Sequence, residues 1–294
     1  MPEVASFTTL TRDALQLTWQ RRSLWWIAAP VALCIGISSF ASSLFQEILP
    51  DSPEASHWPL VLTNEQLPVA ALLLMAAIFG QSFLRGAIVF SLERWIREKG
   101  LREIKPTRLK KYFRAALVSA FFEVAYWLLF VLIATTLTIP CLVAWHFNPS
   151  VFPIIVQIGF LLLMTIGVYL YFVKELSAFY AVLGGIRPSL AIDLGFRLFR
   201  RHVFDTALFF FYATLLALFF TLIIGVPRAL FETSEKAASW ETTLFSALPL
   251  GLYFIFDQAL RLTFFRSIAA HPKKTMAEER LLKPSESPSG IAPN

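Results

Sequence analysis

Lysine and arginine are missing from two long stretches of this 294-residue chain, and this spacing constrains the fold more than any motif does. None lies between Arg22 and Arg85, and none lies between Arg114 and Lys174. Hydrophobic residues make up 56% of the chain and charged residues 16%, whereas soluble domains are about 45–50% apolar and about 25% charged. The pattern predicts a chain whose solvent is a lipid bilayer.

Six apolar segments approach the length that crosses a bilayer, which is about 20 residues for a helix. They are apolar on every face, without the alternation expected of barrel strands. We therefore predict an all-α, polytopic fold with six transmembrane helices, at about residues 24–45, 68–92, 115–140, 151–173, 203–226 and 243–265. Residues 1–268 would form this domain, and residues 269–294 a largely disordered cytoplasmic tail.

The basic residues also predict the orientation of the chain. They precede the first segment, fill the region from Arg94 to Arg114, separate the fourth segment from the fifth, and follow the sixth. The alternate loops hold only Arg228 and Lys236, beside several acidic residues. Because loops rich in Lys and Arg stay in the cytoplasm, both termini are predicted to be cytoplasmic.

Short amphipathic helices are predicted to lie in the membrane interface ahead of some spans. The clearest is residues 188–201, where Asp193 and three arginines share one arc and apolar residues fill the other. Residues 107–114 form a second such element, and residues 10–22, capped by Thr8 or Thr9, a third. The side chains expected to face anionic lipid are Arg108, Lys110, Lys111, Arg197, Arg200 and Arg201.

These three elements suggest an internal repeat of one elbow helix followed by two spanning helices. Asp13, Trp19 and Arg21 fall on Asp193, Phe199 and Arg201 when the chain is offset by 180 positions. The alternative is that any helix leading outward from the cytoplasm is favoured by a basic, amphipathic lead-in.

The stretch LSAFYAVLGGIRPSLAIDLGFRLFRRH, between two apolar helices, resembles a group of bacterial six-helix membrane families. These include the membrane domain attached to some glycerophosphoryl diester phosphodiesterases and its uncharacterised stand-alone relatives. Ala191, Leu194 and Leu198 stand where those families carry their elbow residues, whereas Gly195 replaces a small polar residue. The resemblance implies the fold and a location in the bacterial cytoplasmic membrane, but no phosphodiesterase activity, because the phosphodiesterase domain is absent.

Several polar side chains lie inside the predicted spans, on the side nearer the cytoplasm. Each charge is costly in the membrane, at about 2.5–3.5 kcal/mol at a helix centre. Two interpretations are open: a polar cavity that faces the cytoplasm, with Glu123–Arg85 and Asp257–Arg261 as ion pairs, or structural pairs and snorkelling side chains. The candidate cavity residues are Gln81, Arg85, Glu123, Asp205, Asp257 and Arg261.

No catalytic, cofactor or metal motif occurs in the sequence. The four histidines are scattered, Cys34 and Cys141 lie in or beside apolar runs, and no phosphate-binding or nucleophile motif is present. The basic residues flank membrane segments, so no nucleic-acid partner is expected. The expected partners are anionic inner-leaflet lipids, with another membrane protein or a second copy of the chain as a further candidate.

Three functional classes remain. The favoured one is a non-catalytic scaffold, accessory or lipid-organising membrane protein. The second is a transporter or permease component with a polar cavity open to the cytoplasm. The third is a lipid-modifying enzyme that uses Glu123 or Asp257.

Overall fold

The computed structural model describes residues 6–48, 66–98, 109–147, 150–231 and 240–269, and within these ranges it contains helices and no strand. One 3₁₀ segment, Arg22–Ile27, lies between the first two of the eight α-helices described. These are α1 (Phe7–Gln20), α2 (Ala28–Ile48), α3 (Gln66–Glu98), α4 (Leu109–Phe147), α5 (Phe152–Gly184), α6 (Pro188–Arg201), α7 (Val203–Phe231) and α8 (Trp240–Ala269). The predicted all-α class is confirmed for this part of the chain.

Among the residues that the structure describes, five stretches are long and apolar enough to cross a membrane: Arg22–Ser42, Gln66–Arg97, Leu109–Phe147, Phe152–Gly184 and Val203–Ile223. The chain is therefore a polytopic helical membrane protein. The sixth predicted segment lies in α8, which is not among the five and whose C-terminal half carries Asp257, Gln258 and Arg261. The predicted tail lies outside the described residues apart from its first residue, Ala269, which ends α8.

Tight packing is concentrated toward one end of the bundle, where α3, α5 and α8 end and α4 and α7 begin. We call it the basic end, because Arg97, Lys110, Lys111, Arg200 and Arg266 lie there. Ile88, Leu176, Phe209, Leu260 and Phe264 are fully buried in this core. Toward the other end, large apolar side chains are exposed on α4 and α5, as lipid-facing residues would be; these include Leu132, Leu142, Phe160 and Leu161.

The elbow predicted at residues 188–201 is present as α6. Gly185 ends α5 in a left-handed conformation, at φ +62°, and its N–H bonds to the carbonyl of Ala181 at 3.0 Å. Glycine adopts this conformation without steric penalty. The α6 face that contains Ala191 and Gly195 packs on α5, and a Cβ at Gly195 would collide with Ser177. Gly195 therefore permits close contact between the two helices.

The other two predicted elbows differ from expectation. The first is a separate helix, α1, but it is capped by the Ser6 side chain rather than by Thr8 or Thr9, and it starts three residues earlier than predicted. The middle element is no elbow: Leu109–Phe147 is one continuous helix, and residues 99–108 lie outside the described ranges. Separate elbow helices are thus found at two of the three predicted places.

Gly86 permits a short distance between α3 and α4. A Cβ at Gly86 would collide with the backbone oxygen of Ala115. We expect Gly86→Ala to lower the free energy of unfolding by about 1–3 kcal/mol, as overpacking of a close-packed interior does. Reversible unfolding in detergent micelles measures this change.

Gly36→Ala is the matched control, because no atom lies within 4 Å of a Cβ added there. It should be neutral or stabilising, since alanine is the better helix former. Equal destabilisation by the two substitutions would contradict a close α3–α4 contact at Gly86.

Candidate functional site

The carboxylate of Glu175 lies fully buried inside the bundle and is surrounded by three cationic side chains. Arg85 Nη1 donates to Glu175 Oε1 at 2.7 Å, and Lys174 Nζ lies 3.0 Å from the same oxygen. Arg261 Nη1 lies 3.2 Å from Glu175 Oε2. A buried charge is tolerated only when it is paired, and Glu175 meets this requirement three times.

Two further carboxylates complete the cluster. Glu123 Oε2 accepts from Lys174 Nζ at 2.8 Å, and the Trp127 indole donates to Glu123 Oε1 at 3.1 Å. Asp257 Oδ2 accepts from Arg261 Nε at 2.7 Å and from Gln258 Nε2 at 3.0 Å. We call the six charged side chains the Glu175 network: Arg85, Glu123, Lys174, Glu175, Asp257 and Arg261. Three positive and three negative charges cancel within it.

Aromatic rings enclose the cations of this network. The Lys174 ammonium lies 5.0 Å from the centre of the Tyr126 ring and 4.5 Å from that of Tyr171. Arg261 lies over Phe210 at 5.2 Å and donates to the Tyr171 hydroxyl at 2.7 Å. Such cation–π contacts are stronger where water is excluded. The rings therefore both shield the charges and bind them.

Four helices, α3, α4, α5 and α8, supply the six charges. At a rise of about 1.5 Å per residue, Arg85 lies ~20 Å before the end of α3 and Glu175 ~14 Å before the end of α5. Glu123 lies ~21 Å after the start of α4 by the same measure. The network thus lies well inside the bundle, on the side nearer the basic end.

The predicted ion pairs are partly correct. Asp257–Arg261 is present, whereas the hydrogen-bonded partner of Glu123 is Lys174 and that of Arg85 is Glu175. The Glu123–Arg85 pair was therefore wrong. The error arises because the predicted fourth segment ends at residue 173, which leaves Lys174 and Glu175 outside the helix. In the structure α5 continues to Gly184.

Lys174 and Glu175 were missed as site residues for this reason. A fourth segment that ends at residue 173 leaves Lys174 among the basic residues between the fourth and fifth segments and gives Glu175 no role. The sequence after them, LSAFYAVLGG, is apolar until two glycines mark a helix end. That run was the signal that the helix continues and carries both charges with it.

Two other candidates lie away from the network. Asp205 is in the first turn of α7, where its Oδ2 lies 3.0 Å from Nδ1 of His202 and its side chain is 42% exposed. Gln81 lies one helical turn before Arg85 on α3 and is half-buried. Beside Arg85 is a pocket with room for roughly one water molecule, which Gly86, Ser119 and Phe179 also line.

The basic side chains predicted to face lipid lie at the basic end. Lys110 and Lys111 are exposed in the first turn of α4, and Arg108 lies outside the described residues. Arg197, Arg200 and Arg201 are exposed on α6. Large apolar side chains are exposed close to them in the chain, with Leu109 82%, Phe113 55% and Phe204 89% accessible.

Comparisons with known proteins give this chain no relatives: no family model, no curated protein and no solved structure matches it. Among the residues described, no group of three or more His, Cys, Asp or Glu side chains could hold a metal ion. The resemblance to the six-helix families stays a prediction.

Removal of the central carboxylate tests whether the network holds the helices together. Glu175→Gln leaves three buried cations with one anion fewer, and breaking a buried pair costs about 3–5 kcal/mol. We expect a loss of this size in the free energy of unfolding, measured by reversible unfolding in detergent micelles.

Asp193→Asn is the control, because Asp193 pairs with Arg197 at 2.9 Å on the exposed face of α6. Exposed pairs contribute about 0–1 kcal/mol. A Glu175→Gln protein as stable as Asp193→Asn would show that the network does not hold the bundle.

Proposed function

We propose that this protein is a non-catalytic membrane protein that organises anionic lipid at the basic end of its bundle. The observation that carries the proposal is the contrast between its two sets of charges. The charges inside the bundle are paired with one another, and those at the basic end face outward.

The internal charges are suited to a structural role. Glu175, Lys174 and Asp257 are each less than 10% exposed. They contact other members of the network, the rings of Tyr126 and Tyr171, and Gln258. Positive and negative charges balance, so the cluster carries no net charge to attract an ion. The adjacent pocket has room for roughly one water molecule.

The basic end is suited to bind head groups. Arg197, Arg200 and Lys110 are exposed there, and the exposed rings of Phe113 and Phe204 lie close to these residues in the chain. Basic side chains attract anionic head groups, and apolar rings beside a basic surface enter the boundary between head groups and acyl chains. Each Lys or Arg near an anionic surface contributes about 1 kcal/mol. A cluster of several would enrich anionic lipid around the protein.

Charge removal on α6 tests this proposal. Arg197, Arg200 and Arg201 are changed together to Gln, and the protein is reconstituted with spin-labelled phosphatidylglycerol or phosphatidylcholine. The preference for phosphatidylglycerol should fall several-fold, since a head group that meets one of these arginines loses about 1 kcal/mol of binding. Added salt should weaken the preference that remains.

The triple change to Lys is the control. It retains the charge, so it should retain most of the preference. An unchanged preference in the Gln variant would contradict the lipid-organising role.

The proposal includes an orientation in which the basic end faces the cytoplasm, as the distribution of Lys and Arg favours. It can be tested in a background with Cys34 and Cys141 changed to Ser. We expect Ser52→Cys to react with a membrane-impermeant maleimide in intact cells, and Ser287→Cys only after permeabilisation. The reverse labelling pattern would show the opposite orientation.

The alternative is a transporter or permease component with a polar pathway from the cytoplasm. The pocket that Arg85 and Ser119 line supports it, because this pocket adjoins the Glu175 network. This alternative requires the pocket to widen and the ion pairs to separate during a transport cycle. The six-helix families remain the proposed relatives, and the bacterial cytoplasmic membrane the proposed location.

A further inference from the structure

A pocket of about 520 Å³ lies at the basic end, apart from the Glu175 network and from the arginines of α6. The elbow helix α1 forms one wall, and the last turns of α3 and α8 form the others. Leu10 and Leu17 of α1 are buried at its apolar side. The pocket therefore borders the packed core of the bundle.

Opposite charges line this pocket. Asp13 lies on the α1 wall and Arg266 on the α8 wall, and their side chains are 51% and 42% exposed. Arg266 contacts Glu93 through Nη1 at 3.4 Å, and a guanidinium carries five N–H groups, so donors remain for a phosphate oxygen. Asp13 lies 3.7 Å from Arg12, and such an exposed pair is weak.

Two hydroxyls of α8 add acceptors to the same pocket. Thr263 donates its proton to the carbonyl of Leu260 at 2.8 Å, and Ser267 donates to that of Phe264 at 2.7 Å. Their oxygens therefore act as acceptors toward the pocket. Together with the Asp13 carboxylate they suit a group with several N–H donors, such as a primary ammonium.

We infer that this pocket binds the head group of one phosphatidylethanolamine-type lipid. Arg266 takes the phosphate, and Asp13 with the α8 hydroxyls takes the ammonium. A choline head group has no N–H to donate, and a glycerol head group has no charge to pair with Asp13. The site thus goes beyond the proposed anionic surface, because it selects a zwitterion and takes a single molecule.

The test is native mass spectrometry of the purified protein with equal amounts of phosphatidylethanolamine, phosphatidylcholine and phosphatidylglycerol. We expect one phosphatidylethanolamine to be retained in preference to phosphatidylcholine. Asp13→Asn and Arg266→Gln should each reduce that retention roughly tenfold, since each removes a charge-assisted contact. Asp193→Asn, on the other elbow, is the matched control and should not change it.

Three results would overturn the inference. They are equal retention of phosphatidylethanolamine and phosphatidylcholine, retention that neither Asp13→Asn nor Arg266→Gln changes, and complete displacement by soluble phosphoethanolamine, which would identify a soluble ligand instead. Unfolding temperatures without added lipid verify that the variants are folded. Loss of the phosphatidylglycerol preference alone would concern the surface at α6 and not this pocket.

Discussion

The packing of the bundle depends on the ion pairs that the buried carboxylate of Glu175 makes. An isolated charge in such a place costs several kcal/mol, so it is tolerated only with partners in fixed positions. Arg85 of α3, Lys174 of α5 itself and Arg261 of α8 supply them, and Glu123 connects α4 through Lys174. A slide of one helix by a single residue, about 1.5 Å, would separate these atoms. We therefore interpret the network as fixing the register of four helices.

This fixed region explains why the two ends of the bundle differ. Around the network and toward the basic end the helices pack closely. The elbow α1 lies against α8, and the elbow α6 lies against α5. Away from it, α4 and α5 expose apolar side chains, because lipid offers them an equally apolar environment. The exposed charges lie at the basic end, where lipid head groups can contact them. Internal and external charges thus have separate tasks, and the lipid-binding proposals follow from the second set.

Much of this architecture can be predicted from the sequence, because the lengths of the apolar segments and the Lys and Arg residues between them indicate helices that cross a bilayer. Gly184, Gly185 and the arc of arginines after Pro188 predict α6 correctly, because local patterns determine it. Glu175 escapes the same reasoning. The role of Glu175 depends on cations from α3 and α8, which are distant in the sequence. Its neighbour Lys174 follows an apolar run directly, so the pair resembles the start of a loop. The middle elbow fails for the opposite reason: Leu109–Arg114 has the right periodicity, but helix propagation into α4 has no break to stop it.

A double-mutant cycle between Arg85 and Glu175 tests the structural role of the network most directly. The two changes to Gln are made singly and together, and the free energy of unfolding of each protein is measured in detergent micelles. We expect a coupling energy of about 1–3 kcal/mol, so that the double variant is destabilised by less than the sum of the two single losses. A cycle between Asp193 and Arg197 on the exposed face of α6 should give much less. Losses at Arg85 and Glu175 that add to within about 0.5 kcal/mol would contradict a structural role for this ion pair.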